Sequence, residues 1–95
     1  MKTVTETLLA GGRVEFSYRG AAYLIQEESN KGWAYLSLWR TAPDLTVLAR
    51  VFFDALDGLS GETVRELYAQ PFSDRHTVGE ILRSPECAVR TICAR

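Results

Sequence analysis

The nucleophile candidates in this chain are Cys87 and Cys93, and its one imidazole, His76, is the only base that could activate either. A cysteine nucleophile needs such a base within hydrogen-bond reach to form its thiolate. His76 lies in Ser73-Asp74-Arg75-His76-Thr77, which reads as a solvated turn, and no family-specific pattern flanks either cysteine. A surface histidine and two small, buried thiols are the expectation. One histidine with a C-x5-C pair does not match a zinc spacing. Asp54, Asp57 and Glu62 surround Gly58-Leu59-Ser60-Gly61, but not in the alternating order of an EF-hand loop. A helix end followed by a helix cap accounts for that stretch. It also lacks the lysine a P-loop needs, and Glu62 would repel an anion. Glu27-Glu28 is an adjacent pair in a polar stretch, read as a solvated loop and not as two carboxyls facing across a cleft. The sequence thus predicts no catalytic residue, no cofactor, no metal site and no enzyme.

The remaining chemistry is aromatic. In Trp33-Ala34-Tyr35-Leu36-Ser37-Leu38-Trp39-Arg40, strand alternation places Trp33, Tyr35 and Trp39 on one face and Ala34, Leu36 and Leu38 on the other. Both faces are apolar, so the strand is either covered twice or exposes aromatics. Exposed rings could anchor a protein partner or stack the bases of a single-stranded nucleic acid. The candidate interaction surface is Trp33, Tyr35, Trp39 and Arg40. Of these, only Arg40, with Arg19 and Arg13 nearby in sequence, offers the basic interleaving that nucleic acid requires.

The elements that would position this strand follow from periodicity and capping. Thr3 and Glu6 have capping-box spacing, with Val4 and Leu8 as the apolar side and Gly11-Gly12 as the stop. Val14, Phe16 and Tyr18 alternate with polar residues, and a tight turn at Arg19-Gly20 or Gly20-Ala21 returns the chain through Tyr23, Leu24 and Ile25 as a hairpin. Glu27–Gly32 reads as a loop of turn formers. After the aromatic strand, Leu45, Leu48, Phe52, Ala55 and Leu56 recur at helical spacing, predicting a helix over 44–56 with Gly58 as its stop. The competing reading is a strand over Thr46–Phe53, since Val47, Val51, Phe52 and Phe53 favour strands. Ser60 caps a helix to about Ala69, and Thr77 with Glu80 boxes another that ends at Ser84-Pro85. Cys87–Cys93 is a strand or a last helical turn. Three T-V-x-E tetrads, at Thr3, Thr63 and Thr77, share no fixed period, so helix-start chemistry explains them better than duplication.

Val14-Glu15-Phe16-Ser17-Tyr18-Arg19-Gly20-Ala21-Ala22-Tyr23-Leu24-Ile25 resembles the E-F-x-Y-x-G-x-x-Y-x-I hairpin of small, uncharacterised bacterial proteins, in which an aromatic third strand and a helical C-terminal half follow. The resemblance implies a bacterial or phage source. It implies no activity and transfers no functional residue.

Composition sets the outer bounds. Ninety-five residues, 46% apolar and 24% charged, make a single globular α+β domain spanning 1–95. The formal net charge is −1, with five basic and five acidic residues over 1–47 and six and seven over 48–95, which counts against binding by phosphate neutralisation. Nine of the eleven basic residues are arginine, a bias that genomic composition explains as readily as function. No apolar run follows Lys2, so no export signal is expected. Cys87 and Cys93, six positions apart, close no disulfide on either a strand or a helix, where bridging needs Cα atoms within roughly 7 Å. That predicts free thiols and a cytoplasmic setting, with pairing between two chains left open. The expected architecture is a three- or four-stranded antiparallel meander with helices packed on one face. The expected role is a non-catalytic interaction or regulatory module that binds another protein or itself, as a homodimer. The alternatives are a single-stranded nucleic-acid binder through 33–40 and an inhibitor protein of a phage or toxin system.

Overall fold

A computed structural model describes residues 2–73 and 75–93. The chain runs α1 (Lys2–Leu9), β1 (Arg13–Tyr18), β2 (Ala21–Asn30), β3 (Trp33–Ala42), β4 (Thr46–Phe53), α2 (Gly61–Tyr68), β5 (Pro71–Ser73), β6 (His76–Thr77), α3 (Val78–Arg83) and β7 (Ala88–Ile92). It is an α+β fold. The main sheet has five strands in the order β4-β3-β2-β1-β7, all antiparallel, and β5 with β6 forms a separate small ribbon. The three- or four-stranded sheet expected from sequence is therefore incorrect. Both extra strands come from segments whose periodicity is ambiguous.

The first four strands are consecutive hairpins, and their turns explain why. Arg19 and Gly20 have φ of 49° and 83°, and Lys31 and Gly32 have 52° and 86°. Two left-handed residues in a two-residue loop are what a right-twisted hairpin demands, and glycine adopts that conformation at no steric cost. The second turn corrects the sequence reading of 27–32. Strand β2 does not stop at Gln26; it pairs through Asn30, with Glu28 opposite Tyr35 and Asn30 opposite Trp33. Only Lys31-Gly32 is loop.

Strand β4 replaces the helix expected over 44–56. Its ladder with β3 shifts register between Leu38 and Trp39, so that Leu48 is the extra residue of a bulge. The bulge breaks strict alternation, and the spacing of Leu45, Leu48 and Phe52 then imitates a helix. The strand wins because the free side of β3 offers a ladder to Val47, Val51, Phe52 and Phe53. The chain leaves β4 through an Asx-turn, with the Leu56 amide donating to Asp54 Oδ1 at 2.9 Å.

One core holds the fold together. Val14, Phe16, Tyr18, Ile25, Leu36, Leu38 and Val51 from one side of the sheet meet Val4 and Leu8 of α1, Val64 and Leu67 of α2, and Val78, Ile81 and Leu82 of α3. Each such side chain contributes about 1.5–3 kcal/mol by leaving water. Capping sets where the helices begin. The Ser60 side chain accepts from the Thr63 amide at 3.3 Å, and Thr77 and Glu80 form the full reciprocal box. Thr3 does not cap. It lies inside α1, where its carbonyl accepts from the Thr7 hydroxyl at 2.8 Å. Of the three T-V-x-E tetrads only the last is a helix start.

Strand β7 closes the far edge beside β1, with Val14 opposite Thr91 and Phe16 opposite Val89. Gly12 makes this possible. A Cβ there would stand 2.4 Å from the Ile92 carbonyl oxygen and 2.8 Å from Thr7 Cγ2. No helix among the described residues is long and apolar enough to cross a membrane.

Candidate functional site

Alternation divides the sheet into two faces, and the core occupies one of them. The other carries Trp33, Tyr35, Ser37 and Trp39 of β3, Gln26 and Glu28 of β2, and Arg50 and Phe52 of β4, as the register requires. The core draws no side chain from it. Trp33 is 65% exposed and Phe52 56%. Tyr35, by contrast, is buried beneath its own neighbours. Phe52 lies against it at 5.3 Å between ring centroids and meets Trp33 edge-on at 5.7 Å. The Arg50 guanidinium sits over Tyr35 at 4.9 Å and reaches the Trp39 ring at 6.0 Å.

Glu28 fixes the centre of this face. Its carboxylate accepts three side-chain hydrogen bonds: from Trp39 Nε1 at 2.7 Å, Gln26 Nε2 at 2.8 Å and the Ser37 hydroxyl at 2.9 Å. Burial alone would push its pKa up. The bonds from Gln26, Trp39 and Ser37, with the nearby positive charge of Arg50, outweigh that and hold it below the usual carboxylate value. The indole of Trp39 is thereby locked against the sheet, and Ser37, fully buried, has its hydroxyl satisfied. Arg50 is exposed and forms no hydrogen bond or ion pair with any described residue. Asn30, Trp33, Tyr35, Arg50 and Phe52 line a shallow groove of about 470 Å³.

The β1–β7 end of the same face is different in kind. A depression of about 520 Å³ there is walled by Glu15, Ser17, Ala22, Leu24, Ala88 and Arg90 among others. Glu15 and Arg90 pair across it at 3.5 Å. Among the described residues no exposed aromatic ring stands on this face there, and its side chains are small or aliphatic apart from the Glu15–Arg90 pair.

The four residues singled out by sequence separate here. Trp33, Tyr35 and Trp39 share the open face as alternation requires. Arg40 does not join them. It follows the parity of Leu38, and its guanidinium is tied to Asp44 at 3.0 Å. The cation of this surface is Arg50, which the helical reading of 44–56 kept from view. Glu28 is likewise placed by the strand pairing of 27–30. Its signal in sequence was Lys31-Gly32, a two-residue hairpin turn that carries β2 and β3 past it.

The other candidate chemistries come apart. Glu27 and Glu28 are neighbours on one strand, so their carboxylates project to opposite faces of the sheet. Cys87 packs against the core, where burial pushes its thiol up, away from the thiolate a nucleophile needs. Cys93 is exposed, and both thiols are free. His76 lies on the surface with Nδ1 3.6 Å from Glu80 Oε1. No cluster of metal-ligating side chains occurs among the described residues. The face carries two exposed rings and an exposed guanidinium over a hydrogen-bonded floor. In comparisons with protein-family models, curated proteins and solved structures, nothing matches this chain.

Proposed function

We propose that the chain is a non-catalytic interaction module that binds a protein partner through the open face of its sheet, with Trp33 and Phe52 as anchors and Arg50 as the polar contact. One observation carries this reading: the face holds two large exposed aromatics beside an exposed arginine that has no ion pair among the described residues. Aromatic and arginine side chains dominate binding energy at protein interfaces, because they bury much area with few degrees of freedom. Tyr35, Trp39 and Glu28 supply the preorganised floor, so little side-chain entropy is lost on docking.

The same rings could stack nucleic-acid bases. Glu28 at the centre of the face and a formal charge of −1 weigh against a phosphate backbone.

The test compares the native chain with a Trp33→Ala/Phe52→Ala variant shown to be folded by circular dichroism. Both are used in cross-linking capture from the organism that encodes the chain, and both are titrated with mixed single-stranded oligonucleotides. A protein captured by the native chain and lost with the variant supports the proposal. Capture unaffected by the variant overturns it. Oligonucleotide binding that weakens steeply with salt replaces it with the nucleic-acid reading.

A further inference from the structure

We infer that β4 is a dimerisation edge, pairing antiparallel with β4 of a second copy about a two-fold axis at Val51. The pairing goes beyond the reading above, since it joins edges and leaves both aromatic faces open. Two five-stranded sheets become one, with both aromatic faces on the same side.

The two outer strands of the sheet are β4 and β7. Every second backbone amide and carbonyl of an outer strand points away from its sheet, and natural edges are guarded by shortness, lysine, proline, charge or a bulge. Strand β7 is guarded: it has five residues, and the Arg90 side chain is 75% exposed. Strand β4 is guarded only by its bulge at Leu48: the five residues beyond it, Ala49–Phe53, carry no lysine, proline or acidic residue. Its single charge, Arg50, is drawn onto the rings of Tyr35 and Trp39. Of the eight exposed large apolar side chains among the described residues, five (Leu45, Val47, Leu48, Phe52 and Leu56) lie on or beside this strand.

The strand is complementary to itself about Val51. Residues opposite each other in an antiparallel pair must share a face. A two-fold axis at Arg50 would set guanidinium against guanidinium, and one at Ala49 would place the Leu48 bulge within the ladder. An axis at Val51 avoids both. It sets Arg50 against Phe52 of the second copy twice over, a cation beside a ring on the open face. On the helix side it sets small Ala49 against large Phe53. The antiparallel arrangement also brings the start of one β4 toward the end of the other, where Leu45 (71% exposed) and Leu56 (95% exposed) flank the ladder. A net charge of −1 opposes the association little.

Sedimentation equilibrium over a concentration series, with residue-resolved amide exchange, tests the pairing. The expected result is a dimer in which alternate amides of β4 slow as concentration rises while those of β7 do not. Phe52→Lys, which sets an ammonium against Arg50 of the second copy, should weaken the dimer on the order of 10-fold or more, and Phe52→Tyr should retain it. Phe52→Thr, which removes the ring set against Arg50 and keeps a strand-favouring side chain, serves the same purpose if Phe52→Lys does not fold. A monomer at every concentration overturns the pairing, as does a dimer indifferent to either substitution. A dimer whose β4 amides exchange at the monomer rate also overturns it, since its faces and not its edges are joined. The interaction reading fails separately, when capture survives loss of Trp33 and Phe52.

Discussion

Two aromatic clusters occupy opposite sides of one sheet and differ in what completes them. Phe16 stacks on Tyr23 at 4.9 Å and 17°, and Phe72 of β5 meets Phe16, Tyr18 and Tyr23 at 5.0–6.2 Å. The chain folds back over that cluster, burying Phe16 and Tyr18 and leaving Tyr23 and Phe72 half-buried. Trp33, Tyr35, Trp39 and Phe52 receive no such cover. Their neighbours are a carboxylate and a guanidinium, and the outer two rings remain in solvent. Rings of the same chemistry are thus core on one side and surface on the other. What separates them is whether a later segment of the chain returns to close them.

The two clusters should respond to substitution in opposite ways. Phe16→Ala should destabilise the fold by about 3–5 kcal/mol, much of the ~5–10 kcal/mol expected of a domain this size, and urea unfolding measures it. Gly12→Ala tests the closure of the sheet by β7. With a Cβ 2.4 Å from the Ile92 carbonyl, a loss of about 1–3 kcal/mol is expected, with faster amide exchange along 88–92. Glu28→Gln probes the floor of the open face and should cost about 1 kcal/mol. Its pH dependence has a definite sign. Because the folded carboxyl lies below its ordinary value of 4.5, its stabilisation is complete above that pH and is lost as pH falls through the lower folded value. The stability difference between native chain and variant should therefore be full at neutral pH and narrow in acid. Trp33→Ala should change stability least, within about 0.5 kcal/mol, while shifting the fluorescence to that of Trp39 alone. A loss comparable to that of Phe16→Ala would erase the contrast and make the open face core.

Much of the fold was legible because local chemistry and tertiary structure agree. The alternation of Val14, Phe16 and Tyr18 and the Thr77–Glu80 box act within a few residues. They form the elements they announce. Glu27–Asn30 and Thr46–Phe53 failed for related reasons. The first is polar and becomes strand only because Lys31-Gly32 turns the chain tightly onto β3. The second has its alternation interrupted at Leu48. In both, the deciding term is a ladder supplied by β3, and no window of sequence contains it. The candidate site inherits these two errors: the three aromatics of β3 were visible, whereas Glu28 and Arg50, contributed by the misread segments, were not.

By itself the sequence determined that a hairpin joins β1 to β2, the apolar positions of α1, α2 and α3, and the parity that sets Trp33, Tyr35 and Trp39 on one face. These follow from side-chain period, capping and turn chemistry, all short-range. Only the tertiary structure decided that the sheet has five strands, that Glu28 accepts from Trp39, Ser37 and Gln26, that Arg50 and not Arg40 crowns the aromatic face, and that β4 stands at an open edge. Those are consequences of pairing between distant segments. Whether a ring is core or surface depends on which segment arrives to cover it.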